Sequence, residues 1–178
     1  MIYILTGPVH SGKTTLLKKL SCELKKQKVR IDGFLSEVVL KNHKVIGYDL
    51  FSLREEKSIP FIRRTGDEEW EKVSSYFFIP ESQTEANRVI LGGRDSDIFF
   101  LDEIGPLELA GKGFWPALRQ VIFKPLTKYL LVVRINILKD FLEVLNQSNI
   151  IVFDIKNSEI FPQMIKEIKK TVLINENS

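Results

Sequence analysis

The sequence predicts an α/β fold: a mostly parallel sheet with helices on both faces and an antiparallel β extension. Three observations predict it. From residue 98 onward, continuous apolar runs alternate with amphipathic stretches of helical length. Near the N-terminus, a glycine-rich stretch separates an apolar run from an amphipathic one. Between them, residues 33–80 read as short extended segments.

The first unit is a strand over 1–6, a loop, and a helix over 13–27. The loop, Gly7-Pro8-Val9-His10-Ser11-Gly12-Lys13-Thr14, has the pattern G-x-x-x-x-G-K-[ST] of a phosphate-binding loop (P-loop). Gly7 lets the chain leave the strand sharply, and Gly12 lets the backbone approach a phosphate. Successive N–H groups form an anion nest, and the following helix adds its unpaired donors and positive dipole end. Lys13 then supplies a charge for the β/γ-phosphates, and the Thr14 hydroxyl a ligand for Mg²⁺. A plain glycine-rich turn with an exposed lysine is the competing reading, and the strand–loop–helix setting disfavours it. His10 is read as a loop side chain facing solvent or ligand.

The chain continues with extended stretches over 29–40 and 45–53, joined by the polar turn Lys41-Asn42-His43-Lys44 into a hairpin. Weaker strands are expected over 58–63 and 76–79. Pro80 closes this part, and Ser82-Gln83-Thr84-Glu85 has the spacing of a capping box for a helix carrying Ala86, Val89 and Ile90. Strands are expected over 98–101, 129–133 and 150–153, each a run fit for burial on both faces. Helices follow them over 114–123, around Leu138, Phe141, Leu142 and Leu145, and around Phe161, Met164, Ile165 and Ile168. One domain over residues 1–178 is expected, with 175–178 as a frayed tail.

A phosphate loop needs a carboxylate at the end of a buried strand to complete the Mg²⁺ shell. Ile98-Phe99-Phe100-Leu101-Asp102-Glu103 meets that need. Asp102 is the second metal ligand after Thr14. Glu103 is the base or water-positioning group, so Lys13 and Glu103 form the expected catalytic pair. Glu108 either supports this pair from behind or simply begins a solvated helix. A cation is also wanted against the γ-phosphate. Arg63, Arg64 and Arg134 are better placed for it than Arg94, which precedes the carboxylate strand.

Composition bounds the rest. The 178 residues contain 44% hydrophobic and 28% charged residues with net charge +3, ordinary values for a globular chain. The lysines at 18, 19, 25, 26 and 28 flank a stripe of Leu17, Leu20 and Leu24. They read as a solvated helix face, and no nucleic-acid partner is expected. The lone Cys22, read as a buried or half-buried helix residue, forms no internal disulfide, and no Cys/His cluster marks a metal site. No apolar run is long enough for a membrane span. With the first strand starting at Met1, no removable signal is expected, and a cytoplasmic setting follows. A monomer is expected.

At Leu101-Asp102-Glu103-Ile104-Gly105-Pro106-Leu107-Glu108 the chain resembles a known family. Gly12-Lys13-Thr14-Thr15, Gly33-Phe34-Leu35-Ser36-Glu37-Val38 and Gly47-Tyr48-Asp49-Leu50 add to that resemblance. It is the small P-loop nucleoside-triphosphatase family, which includes the thermophile NTPases and the cancer-related human NTPase, and the likeness extends over about residues 1–170. It implies a RecA-like core and slow, Mg²⁺-dependent hydrolysis of nucleoside 5′-triphosphates with broad base tolerance. It places nucleotide contacts on Gly7 to Thr14, with Thr15 adjoining, and on Leu101, Asp102, Glu103, Ile104 and Gly105. Two departures stand out. Val9 and His10 replace the family's Pro and Gly, a change that requires His10 to avoid a positive φ. Asn157-Ser158-Glu159 replaces the usual Glu-Asn-Arg, which bears on rate and base preference. The alternatives are a small-molecule kinase on the same core, with 33–80 as acceptor region, and a nucleotide-binding switch whose hydrolysis is incidental.

Overall fold

The structure is a computed structural model that describes residues 1–73, 75–124, 127–146 and 149–172. The tail expected over 175–178 lies outside the described residues. In chain order the elements are β1 (Ile2–Gly7), α1 (Lys13–Lys26), β2 (Ile31–Lys41), β3 (Lys44–Ser52), β4 (Lys57–Arg63), β5 (Lys72–Val73), β6 (Tyr76–Phe78) and α2 (Pro80–Gly92). Then come β7 (Ile98–Ile104), α3 (Pro106–Leu109), α4 (Trp115–Val121), β8 (Lys128–Arg134), α5 (Leu138–Leu145), β9 (Ile150–Asp154) and α6 (Ile160–Val172). No helix among the described residues is long and apolar enough to cross a membrane.

The described strands form one sheet in the order β5-β6-β4-β3-β2-β7-β8-β1-β9. The pairs β2–β7, β7–β8, β8–β1 and β1–β9 are parallel, and β2–β3, β3–β4, β4–β6 and β5–β6 are antiparallel. The sheet is therefore α/β with a parallel core and an antiparallel extension, as the sequence leads one to expect.

Side-chain alternation divides the core in two. Ile2 and Ile4 of β1, Phe99 and Leu101 of β7, and Leu131 and Val133 of β8 pack beneath α2, α4 and α5. Tyr3 and Leu5, Ile98 and Phe100, and Leu130 and Val132 face the other way, against Leu17, Leu20 and Leu24 of α1 and Met164 and Ile168 of α6. Burial on both faces is why these strands are continuously apolar. The Tyr3 hydroxyl lies 2.6 Å from the Thr171 hydroxyl and donates to the Glu167 carbonyl, tying α6 to β1.

Three expectations need correction. Helix α2 begins at Pro80, and the capping box at Ser82–Glu85 does not form. Proline fits the first helical turn, where its missing N–H is not needed, and the Ser82 hydroxyl instead donates to the Pro60 carbonyl of β4. The hairpin turn is shorter than the four polar residues suggest. Only Asn42 and His43 stand between the strands, at φ of 50° and 59°, the twist that two-residue hairpins prefer. Cys22 is exposed, because it lies off the α1 stripe of Leu17, Leu20 and Leu24.

Strand β2 joins the two halves. Residues 31–34 pair in parallel with β7, and residues 34–41 pair antiparallel with β3. Gly33 sits at this transition with φ of 110°, and a Cβ there would fall 1.9 Å from the Phe100 carbonyl oxygen. Its N–H donates to the Asp32 carboxylate at 2.7 Å, and its carbonyl accepts from Leu53 N–H at 2.9 Å. Gly33→Ala combines backbone strain with a clash against backbone that cannot yield. We expect it to cost about 3–5 kcal/mol of stability, read as a lowered urea midpoint with little change in slope.

Candidate functional site

The cleft lies at the C-terminal ends of β1, β7 and β8, where the parallel core meets the hairpin β2–β3. It encloses about 950 Å³. The glycine-rich loop forms one side, with Gly7 and Val9 to Thr15. Ser36, Glu37, Val38, Tyr48 and Tyr76 form the opposite wall, and Asp102, Glu103 and Arg134 lie between.

Three residues of the loop have a positive φ, Gly7 at 149°, His10 at 59° and Gly12 at 88°. The condition set for the change at Val9 and His10, that His10 avoid a positive φ, is thus not met. The loop turns there, so a residue with a Cβ accepts a conformation that glycine adopts freely. At Gly12, the position of a missing Cβ has nothing within 4 Å, so open space stands where the backbone faces the cleft. The Lys13 ammonium folds back onto the carbonyls of Gly7 at 3.2 Å and Pro8 at 2.5 Å. Burial lowers its pKa, with the Asp102 and Glu103 charges opposing.

Strand β7 supplies the two carboxylates by means of a bulge. Leu101 pairs with Leu131 and Ile104 with Val133, so two residues of β7 oppose one of β8. In a regular strand, residue 103 would follow Phe99 and Leu101 into the core. The extra residue puts Ile104 there instead and turns Glu103 out, at φ 75°. Asp102 stays on the α1 side, only 2% exposed. Its Oδ2 accepts the Thr14 hydroxyl at 2.7 Å and the Ser36 N–H at 3.2 Å. Burial, with the Glu103 charge adding to it, pushes its carboxyl up to about 6 against those bonds and the Lys13 charge. Glu103 is half exposed and accepts from Arg134 Nη2 at 3.0 Å.

Thr14 and Asp102 are therefore hard oxygen donors side by side, one a buried carboxylate without a full countercharge. That donor set fits Mg²⁺, which takes one or two protein oxygens and completes its shell with phosphate and water. Among the described residues no group of three or more His, Cys, Asp or Glu is disposed around a metal.

Not every residue expected at the site reaches it. Leu101 and Ile104 are fully buried in the core. The Gly105 N–H is turned to Glu108, and Pro8 is exposed outside the cleft lining. Arg63 is held by Asp49 and by the carbonyls of Tyr48 and Ile62, and Arg64 lies against the Tyr76 ring. Sequence reasoning missed the far wall. Tyr48 and Tyr76 pack edge to face at 5.8 Å, and burial, Tyr76 and Glu103 together raise the Tyr48 phenol. Tyr48 lies in a stretch that carries the resemblance but was given no place at the site, and no local pattern marks Tyr76; strand register brings both to the cleft.

Glu108 does not start a solvated helix. It is 5% exposed, and its two oxygens accept the N–H groups of Gly105 at 2.9 Å and Phe114 at 3.2 Å. Burial raises its pKa, and those two donors partly offset the rise. The carboxylate clamps the chain as it leaves the bulge.

Fold and site together define an α/β protein with a glycine-rich loop and helix at the head of its parallel sheet. Comparison with known proteins gives that class a particular member. The family described as NTPase matches residues 2–170, and the chain belongs to it. The chain is 32% identical over 126 residues to nucleoside-triphosphatase THEP1 of Thermotoga petrophila, covering 70% of this chain and 65% of that one. It is 33% identical over 132 residues to the human cancer-related nucleoside-triphosphatase, covering 68% of each. The matches thus span about two thirds of these relatives' length. The solution structure of a human cancer-related nucleoside triphosphatase superimposes with a TM-score of 0.73 at 27% identity, covering 99% of this chain and 98% of that one. The crystal structure of THEP1 from Aquifex aeolicus gives 0.74 at 22%, a likeness of fold, covering 95% and 99%.

Glu108→Ala leaves two buried N–H groups unpaired and is expected to cost about 2–4 kcal/mol in urea unfolding. Glu108→Gln should recover part of the loss, because its amide keeps one acceptor.

Proposed function

We infer that this chain hydrolyses nucleoside 5′-triphosphates to the diphosphate and phosphate. The observation that carries the reading is convergence: Lys13, the Thr14–Asp102 pair and Glu103 all face one cleft beside the glycine-rich loop. The loop N–H groups and the start of α1 bind the polyphosphate as an anion. Lys13 exchanges the carbonyls of Gly7 and Pro8 for phosphate oxygens, which are stronger, charged acceptors. Thr14 and Asp102 would hold Mg²⁺, which offsets phosphate charge when bound. The Glu103 carboxylate orients a water for in-line attack and takes its proton.

Slow turnover accords with this arrangement, since Lys13 and Glu103 both start in internal contacts that substrate must replace. Broad base tolerance accords with the rim. Val9, Val38, Leu40 and Ile135 are exposed apolar groups that make contact without reading hydrogen-bond patterns. A cytoplasmic setting, in which the exposed Cys22 stays reduced, belongs to the same proposal.

The test is phosphate release from ATP, GTP, CTP and UTP with Mg²⁺ and with EDTA. Release from several nucleotides, abolished by EDTA, is expected. Glu103→Gln should keep nucleotide affinity and lose about 100-fold or more in turnover. Lys13→Ala should weaken nucleotide binding about 100-fold, the loss of a charge-assisted contact to phosphate. Normal binding by Lys13→Ala would remove the site assignment, and normal turnover by Glu103→Gln would remove its role as base.

A further inference from the structure

Hydrolysis as proposed leaves one charge unassigned. Phosphoryl transfer spreads negative charge over the γ-oxygens, and a cation besides the P-loop lysine commonly meets it. The structure narrows the arginines. Arg30, Arg54, Arg63 and Arg88 are each held by a carboxylate, Asp97 at 2.6 Å, Asp32 at 2.9 Å, Asp49 at 2.6 Å and Glu85 at 2.5 Å. Arg64 lies 5.4 Å from the Tyr76 ring centroid. Arg119 is exposed on α4, and the backbone of Arg94 lies in the turn before β7, at the opposite end of that strand from Asp102. Among the described residues, Arg134 is the arginine that lines the cleft with the glycine-rich loop.

Its placement is built into the sheet. Arg134 ends β8 in register with Gly7, the first residue of the loop. Its side chain passes Gly105, where the Cβ position lies 3.5 Å from Nε, and reaches Glu103. The bulge in β7 brings Glu103 out to meet it. Both partners are about half exposed, at 46% and 44%. A pair in contact with water is weak and easily exchanged, and a triphosphate offers the guanidinium a more highly charged acceptor with matching fork geometry.

We propose that Arg134 is the γ-phosphate cation of this site, supplied in cis, and that it holds Glu103 until nucleotide arrives. The inference rests on the hydrolytic reading above. On binding, the guanidinium transfers from the Glu103 carboxylate to the γ-oxygens, and the freed carboxylate takes up the water. The water oxygen then bonds to the γ-phosphorus as the bond to the β–γ bridging oxygen breaks. The diphosphate leaves with that electron pair, and Glu103 takes the water proton. Arrival of the phosphate charge thereby releases the base, and no second chain has to lend an arginine.

The experiment compares wild type, Arg134→Ala and Arg134→Lys. It measures phosphate release from Mg·ATP, ADP affinity, and trapping of Mg·ADP with aluminium fluoride, a mimic of the transferred phosphoryl group. Arg134→Ala is expected to turn over about 100-fold more slowly than wild type, the order found when one donor to a transition-state charge is removed. Its ADP affinity should stay within about 3-fold, because the contact is made to the γ position only. It should also fail to form the aluminium fluoride complex. Guanidinium at millimolar concentration should restore part of the rate in Arg134→Ala and leave wild type unchanged. Arg134→Lys should be intermediate, and the wild-type rate per chain should not depend on protein concentration. Wild-type turnover or faster by Arg134→Ala, normal trapping, or a loss of ADP affinity as large as the loss of rate would each overturn the proposal. So would a rate per chain that rises with protein concentration. A wild type that releases no phosphate would overturn the hydrolytic reading and this assignment together, whereas normal wild-type turnover with an unaffected Arg134→Ala overturns this assignment alone.

Discussion

The extra residue in β7 is the constraint on which the cleft depends. Alternation along a strand sends neighbouring side chains to opposite faces, so adjacent carboxylates at a regular strand end could not both serve one site. The bulge resolves this by advancing Ile104 into the core position that residue 103 would have filled. Glu103 then takes a left-handed backbone that its side chain does not favour. Such strain persists only where the surroundings over-determine it. Here the buried contacts of Ile104 draw on one side of the bulge, and the Glu108 carboxylate holds Gly105 on the other. Hydrophobic packing and a buried polar clamp together place a charged group at the cleft.

The same arrangement explains the states of the charged groups. Asp102 is buried, hydrogen-bonded and short of positive charge, which is why its carboxyl is raised to about 6. Lys13 lies near enough to feel that charge, yet its ammonium is satisfied by loop carbonyls. In this conformation the groups are bonded to one another or to the backbone, and the Lys13–Pro8 and Arg134–Glu103 bonds are open to water. An anion arriving at Lys13 or Arg134 would therefore compete against solvated contacts rather than against a packed interior.

Much of the parallel core was legible in the sequence because burial on both faces leaves uninterrupted apolar runs, as in 98–101 and 129–133. The loop and the Asp102–Glu103 pair were legible because their chemistry demands particular residue types at particular spacing. What stayed hidden depends on register and on long-range contact. The bulge leaves no local mark, since Leu-Asp-Glu-Ile reads equally well as a strand running into a loop. Glu108 looks like an ordinary first-turn acid until Phe114, six residues later, folds back to it. Tyr48 and Tyr76 come from different strands of the extension. His10 departs for another reason: the loop's need for a left-handed residue overrides the preference of the side chain placed there.

Strand β2 has one further consequence. It belongs to both halves of the sheet, pairing with β7 over residues 31–34 and with β3 beyond them. Asp102, Glu103 and the wall that faces them are thus joined by one continuous hydrogen-bonded ladder, with Gly33 pressed against the Phe100 carbonyl at the junction. Opening or shutting the cleft as two rigid jaws would shear that ladder. The width of the mouth is accordingly a property of sheet twist, set when the chain folds.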